Sequence, residues 1–246
     1  MPAARHRALL AALAVQAPNA VSAESLASTI WDGHPPREWK GALRTYIGRV
    51  HDILGADAGF RIARRPAGRL LDISPDEVDV NVFEAQAKAG MAAAQFGDWQ
   101  TATAILSSAE GLWRGEPFTD IPSQVLRDRH SPYLTETLRT VQETRVEAEV
   151  RLSRLGADMA LPRPRRLASQ HPDSERLAML LMLALYRAGR RSEALNTYRT
   201  TWAYLDEEHG VTPSAELAAM RQRIDADDPA LLADPLLGSL WTRATS

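Results

Sequence analysis

The sequence of 246 residues contains no cysteine. A disulfide framework, thiolate-bound zinc, an iron–sulfur cluster and a cysteine nucleophile are therefore excluded. No stretch reaches the ~18 uncharged apolar residues that a membrane span requires. The basic and then apolar start of the chain ends at Gln16 after about eight apolar residues, without a clean cleavage site of the kind that secretion signals carry. We therefore expect a cytoplasmic, globular protein that begins with a helix.

Catalytic motifs are also lacking. No pair of glycines has the G-x-G spacing of a dinucleotide loop, and neither of the two lysines, Lys40 and Lys88, follows a glycine as in a phosphate-binding loop. No serine stands in a G-x-S-x-G motif. The six histidines are scattered, with no pair at i and i+4 that would suit a metal. We expect no enzymatic activity, no cofactor and no metal.

Charge is distributed unevenly along the chain. Residues 1–75 carry ten lysines and arginines against six acidic residues, whereas residues 76–246 carry 19 against 25. Because all but two of the 29 basic residues are arginines, nearly every cationic contact would be made by a guanidinium, which forms paired hydrogen bonds. A basic front half favours an anionic partner there, and nucleic acid before a membrane.

Residues 1–75 predict three helices followed by a β-hairpin. Apolar residues at helical spacing before Pro18 indicate the first helix, and Ser22 is a residue type that caps the start of a second. The third helix is expected from about Arg37 to Leu54. It would bury apolar residues spaced four, three and four apart, namely Leu43, Ile47, Val50 and Leu54. Two short runs, residues 60–65 and 69–73, flank a Pro-Ala-Gly turn and indicate the hairpin. This order of elements is that of a winged helix-turn-helix.

The remainder, residues 76–231, predicts a helical repeat. A glycine followed by an alanine at +5 and a large residue at +9 occurs twice, at Gly97 and at Gly189. The pattern is typical of a tetratricopeptide turn, in which glycine ends one helix and the small alanine lets the next pack closely. A third copy would start at Gly156, but two prolines follow where its second helix should begin. That helix is expected to start late and to be short.

Seven short motifs stand in a characteristic order along residues 5–231. They are Trp31–Pro36, Leu43–Ile47, Arg65–Gly68, Pro75–Phe83, Leu112–Pro117, Met182–Arg190 and Glu207–Pro213. Each is weak alone, but in this order and spacing the chain resembles the Streptomyces antibiotic regulatory protein (SARP) family, an OmpR-type winged helix joined to a bacterial transcriptional activation domain. Family members usually carry an N-terminal β-sheet, whereas this chain begins at the first helix. The expected fold class is mainly α, with a winged helix-turn-helix followed by a tetratricopeptide-like helical domain.

The resemblance implies a transcriptional activator of a secondary-metabolite gene cluster. It would bind direct repeats in promoter DNA, with protomers side by side or as a homodimer, and recruit RNA polymerase. The implied domains are residues 1–75 for DNA binding and 76–231 for activation, with a C-terminal tail over 232–246. The alternative is a helical-repeat scaffold or sensor whose degenerate winged helix binds protein, which is favoured by the missing sheet and by the His51–Asp52 pair.

Candidate DNA-contacting residues lie on the third helix and on the hairpin. The helix set is Arg37, Lys40, Arg44, Thr45, Arg49 and His51, and the hairpin set is Arg64, Arg65 and Arg69. In a winged helix the third helix enters the major groove, where arginine can form two hydrogen bonds with guanine O6 and N7. The hairpin arginines are expected along the phosphate backbone or in the adjacent minor groove.

Overall fold

The computed structural model describes residues 2–55, 61–152 and 161–233. Its elements in chain order are α1 (Pro2–Ala14), α2 (Ala23–Ile30), α3 (Trp39–Leu54), β1 (Arg61–Arg65), β2 (Gly68–Asp72), α4 (Asp79–Gln95), α5 (Trp99–Gly111), α6 (Gln124–Leu152), α7 (Pro162–Gln170), α8 (Glu175–Arg187), α9 (Arg191–His209) and α10 (Ala215–Asp225), with 3-10 turns at Pro75–Glu77 and Pro229–Leu232. The predicted mainly helical fold class is confirmed.

The chain divides into two compact units. The first unit consists of residues 1–89 and 107–140, and the second unit consists of residues 90–106 and 141–246. This is a division by compact packing, and the chain re-enters the first unit at residue 107, within α5. The boundary between the DNA-binding and activation domains, expected between residues 75 and 76, stays a prediction. The expected tail over 232–246 lies, from residue 234 onward, outside the described residues.

The first unit is built on α1, α2 and α3. Ser22 caps α2, since its Oγ accepts a hydrogen bond from the N–H of Ser25 at 3.1 Å. The apolar core of this unit contains Leu9, Leu13, Leu26, Ile30, Leu43, Ile47, Val50, Ile62, Leu71 and Leu126, all buried. Three of the four residues expected to be buried on the third helix are therefore confirmed, and the side chain of the fourth, Leu54, lies outside the description.

The start of α3 differs from the expectation. The helix begins at Trp39 rather than near Arg37, because the N–H of Trp39 closes a tight turn onto the carbonyl of Pro36 at 3.0 Å. Arg37 therefore lies in the turn that leads into α3, where its side chain is exposed.

The predicted hairpin is confirmed, with β1 and β2 antiparallel and Arg65 opposite Gly68 at the turn. Phe60, expected in the first run, lies outside the described residues. Val21, which sequence reasoning missed, joins the hairpin by exchanging two hydrogen bonds with the backbone of Arg69, at 2.7 and 2.8 Å. Gly68 has a φ of +145°, and a Cβ there would lie 2.0 Å from the Val21 carbonyl oxygen. Glycine is therefore required at this point of the hairpin, which is the wing of the winged helix.

The second unit surrounds α8. All ten residues from Leu177 to Tyr186 are buried, so this helix is covered on every side. The two repeat turns have matching geometry, since Gly97 and Gly189 have φ values of +77° and +73°. The alanines five residues after each glycine are fully buried, as the repeat pattern predicts. The start of the third copy lies outside the described residues, and its helix α7 has nine residues, short as expected.

Within the described ranges, every helix is too short or too polar to cross a lipid bilayer.

Candidate nucleic-acid interface

The third helix presents one apolar and one polar face. The apolar face lies in the core of the first unit, whereas the predicted contact residues on α3 are exposed, namely Lys40, Arg44, Thr45, Arg49 and His51. This division follows from the 3.6-residue period of the helix, which places residues spaced three and four apart on one side. The sequence pattern therefore brings most of the helix set together on one accessible surface.

The cations of this face have few partners inside the protein. The Lys40 ammonium lies 5.5 Å from the centre of the Trp39 ring, a cation–π contact. Among the residues that the structure describes, neither Arg44 nor Arg49 takes part in an ion pair or a side-chain hydrogen bond. Their guanidinium groups keep all their donors for a partner outside the chain.

His51 and Thr45 differ from the arginines, because each has a partner within the first unit. Nε2 of His51 lies 3.4 Å from the carbonyl oxygen of Ile62 in β1, so the ring is directed toward the hairpin backbone. The hydroxyl of Thr45 donates to the carbonyl of Gly41 at 3.2 Å. These two contacts bind side chains of α3 to the hairpin and to the helix's own backbone.

The hairpin arginines are concentrated near the turn. Arg64 in β1 stands directly opposite Arg69 in β2, so both side chains leave the same face of the hairpin. Residues paired in this way have Cβ atoms about 4.5–5.5 Å apart, and two like charges there destabilise the strand pair. Arg65 is exposed beside the turn, and its Nη1 donates to the carbonyl of Arg64 at 3.4 Å. The wing thus concentrates positive charge at an internal energetic cost.

Aromatic residues fix α3 against the two helices that precede it. The Tyr46 ring lies 5.7 Å from the Trp31 ring and 5.2 Å from the His6 ring, measured between centres. The Tyr46 hydroxyl also accepts a hydrogen bond from Arg5 at 3.1 Å. These contacts hold α3 in a fixed orientation against α1 and the end of α2, so the polar face of α3 belongs to a rigidly held helix.

A second support comes from residues that sequence reasoning missed. Oδ1 of Asp32, in the turn between α2 and α3, accepts hydrogen bonds from the backbone N–H groups of Gln124 at 2.7 Å and Val125 at 3.2 Å. The hydroxyl of Ser123 donates to the carbonyl of Thr29 at 2.7 Å and accepts from the third N–H of α6. The first turn of α6 is thus capped by a carboxylate 92 residues earlier in the chain. Ser123 alone carried a local capping signal.

The described residues hold no group of three or more histidine, aspartate or glutamate side chains placed to bind a metal ion. Most of the side chains of the polar surface described above are arginines. What it offers chemically is hydrogen-bond donation to anionic oxygens and to base edges, which are the two kinds of acceptor that DNA presents.

Comparison with known proteins agrees with this geometry. A family model described as bacterial transcriptional activator domain matches residues 78–225. Regulatory protein DnrI of Streptomyces peucetius is 32% identical over 237 residues, which are 93% of this chain and 86% of DnrI. Regulatory protein AfsR of Streptomyces griseus is 32% identical over 235 residues, but this chain covers only 24% of AfsR.

A solved structure is similar over nearly the whole chain. It is the complex titled "Mycobacterium tuberculosis EmbR in complex with low affinity phosphopeptide", with a TM-score of 0.84 and 29% sequence identity over 93% of this chain and 60% of that one.

Fold and site together define a winged helix-turn-helix protein whose helical repeats belong to the transcriptional activation class. The chain belongs to the bacterial transcriptional activator domain family, in its SARP branch, and is a transcriptional activator. The resemblance drawn from the seven sequence motifs is confirmed.

Proposed function

We propose that this activator binds promoter DNA, with α3 in the major groove and the β1–β2 hairpin on the adjacent backbone or minor groove. The observation that carries the proposal is the register of the wing, where Arg64 lies directly opposite Arg69. Two guanidinium groups in that position repel each other in the free protein, and a phosphate chain would relieve the repulsion.

The roles of the α3 residues follow from their position along the helix. Arg44 and Arg49 are five residues apart, which is about 140° of rotation about the helix axis. Only one of them can therefore stand directly over the base edges. We assign base contact to Arg44, because the beginning of a recognition helix usually lies deepest in the groove. Arg37, just before α3, and Lys40, in its first turn, are assigned to phosphate contacts. His51 is assigned to the contact between α3 and the hairpin.

We further propose that two protomers bind side by side on direct repeats and recruit RNA polymerase to the promoters of a secondary-metabolite gene cluster. The protein would act in the cytoplasm. Membership of the SARP family supports this regulon and these partners. Weak binding to single sites becomes effective when a neighbouring protomer raises the local concentration. A few kcal/mol of contact with polymerase is then enough, since about 1.4 kcal/mol changes occupancy tenfold.

The test is in vitro selection of duplexes by the full chain, followed by binding isotherms at several salt concentrations. Arg44→Ala should weaken binding to the selected duplex by about 1–3 kcal/mol and relax the preference at one base position. Arg65→Ala should weaken all sequences alike and lower the salt slope by about one unit. Arg199→Ala, at an exposed arginine of α9 in the second unit, is the matched control and should bind like wild type.

The competing function is a scaffold whose winged helix binds protein. Selection would then enrich no duplex above the input library, and the Arg44→Ala and Arg65→Ala variants would not differ from wild type in residual binding to DNA. If Arg44→Ala lost affinity equally for selected and scrambled duplexes, Arg44 would contact phosphate and the docking of α3 would be wrong.

A further inference from the structure

The orientation of the Thr45 side chain limits what it can offer to a base. Its hydroxyl donates its only hydrogen to the carbonyl of Gly41, 3.2 Å away in the preceding turn of α3. A threonine Cβ carries a hydroxyl, a methyl group and a hydrogen, in staggered positions. With the hydroxyl turned toward the helix backbone, the methyl group is the substituent left to contact a partner. Thr45 is exposed, so this methyl is accessible from outside the protein.

The surroundings of Thr45 leave room for close approach. Gly41 and Gly48, four residues before it and three after, lie on the same side of α3 and are exposed. Beyond the adjacent residues and the backbone of its own helical turns, a Cβ built at either glycine would have no heavy atom within 4 Å. Glycine is less favourable than alanine inside a helix, and no packing in the described part of the chain requires it at either position. Without side chains at these positions, a short residue such as threonine can reach a surface that Arg44 and Arg49 flank.

We propose that Thr45 reads the 5-methyl group of a thymine in the major groove. This methyl is the apolar group that a base pair presents there, and it distinguishes thymine from cytosine and from uracil. The inference rests on the proposed docking of α3 and adds to it a specific chemical group on one base. Thr45 acts by methyl–methyl contact, and its hydroxyl holds the rotamer that makes this contact possible.

The experiment measures how binding affinity changes when one methyl group is removed, first from the DNA and then from the protein. In the duplex obtained by in vitro selection with wild-type protein, each thymine is replaced in turn by deoxyuridine, which lacks only the 5-methyl. At one thymine in each half-site, the replacement should weaken wild-type binding about fourfold, the equivalent of about 0.8 kcal/mol for one buried methyl.

Two variants of Thr45 separate its methyl from its hydroxyl. Thr45→Val keeps the methyl and should still discriminate thymine from deoxyuridine. Thr45→Ser keeps the hydroxyl and its bond to Gly41, and should bind the thymine duplex about fourfold more weakly with no further loss on deoxyuridine. Thr197→Ser is the matched control, because Thr197 makes the same backbone bond on α9, to Glu193 at 3.0 Å. It should bind like wild type.

The outcomes distinguish contact through the Thr45 methyl group from contact through its hydroxyl. If no deoxyuridine affects wild type, or if Thr45→Ser discriminates as wild type does, the methyl readout is wrong. If Thr45→Val loses the discrimination and Thr45→Ser keeps it, the hydroxyl reads the base and the proposal is overturned. Failure to enrich any duplex would refute DNA binding itself, and the thymine contact with it.

Discussion

Replacing Asp32 tests whether a side chain in the turn before α3 caps the distant helix α6. Its carboxylate accepts two backbone hydrogen bonds, from Gln124 and Val125, the first two residues of α6. Hydrogen bonds to a charged group contribute about 1.5–3 kcal/mol, and losing an N-cap typically costs about 1 kcal/mol. Because Asp32 is exposed, water replaces part of what is lost. We expect removal of the carboxylate to cost about 1–2 kcal/mol.

A series at this one position separates the contributions. Asp32 has a φ of +48°, which glycine adopts freely and alanine does not. Asp32→Gly therefore removes only the hydrogen bonds, and Asp32→Ala adds about 1 kcal/mol of backbone cost. Asp32→Asn keeps an oxygen acceptor and tolerates this φ, so it should lose only the effect of charge at a helix N-terminus, about 0.5 kcal/mol. The expected order of stability is wild type, Asn, Gly, Ala.

The assay is equilibrium unfolding in urea, followed by tryptophan fluorescence and by circular dichroism. Three of the six tryptophans lie in the first unit, namely Trp31, Trp39 and Trp113, so unfolding of this unit contributes to the fluorescence change. Asp76→Asn, at an exposed carboxylate elsewhere in that unit, is the control and should change stability by less than about 0.5 kcal/mol. An Asp32→Gly variant as stable as this control would refute the capping argument.

Three further perturbations follow from contacts described or measured in the same structure. Gly68→Ala should destabilise the wing by about 3 kcal/mol in chemical unfolding, because its methyl would meet the Val21 carbonyl at a φ closed to alanine. Gly90→Ala in α4 should cost about 1 kcal/mol by the same assay, since its methyl would lie 2.5 Å from Cδ2 of the buried Leu106, a clash larger than the gain in helix propensity. Burial, with a smaller effect of the neighbouring Arg129 charge, lowers the pKa of His130. The unfolded chain therefore binds this proton more tightly, and stability should decrease as pH falls below about 6.5, the ordinary imidazole value. His130→Gln should flatten that dependence between about pH 7.5 and 5.5, and an unchanged slope would contradict it.

Prediction from the sequence worked where the determining residues are close in the chain. The burial of Leu43, Ile47 and Val50 follows from spacing within one helix, and the hairpin from a turn between two short runs. The accessible arginines of α3 follow from the same period. Each of these expectations needs only the local geometry of a helix or a hairpin.

Prediction failed where the partners are distant. Val21 pairs with Arg69, 48 residues later, and nothing near Val21 in the sequence distinguishes it from a loop residue. The return of the chain to the first unit, with Asp32 capping α6, depends on atoms 92 residues apart. Spacing and capping rules describe neighbours along the chain, so they gave no sign that residues 107–140 pack in the same unit as residues 1–89.

The burial of Leu126 in the core of α1–α3 also sets an order of events during synthesis. The hairpin ends at Asp72, so roughly 50 further residues must be translated before this core contains all its side chains. At about 5–20 residues per second, that is about 3–10 s in which the three helices exist on the ribosome with an incomplete core. A slow codon or a substitution near Ser123 would therefore affect the folding of the winged helix, although the winged helix itself was translated seconds earlier.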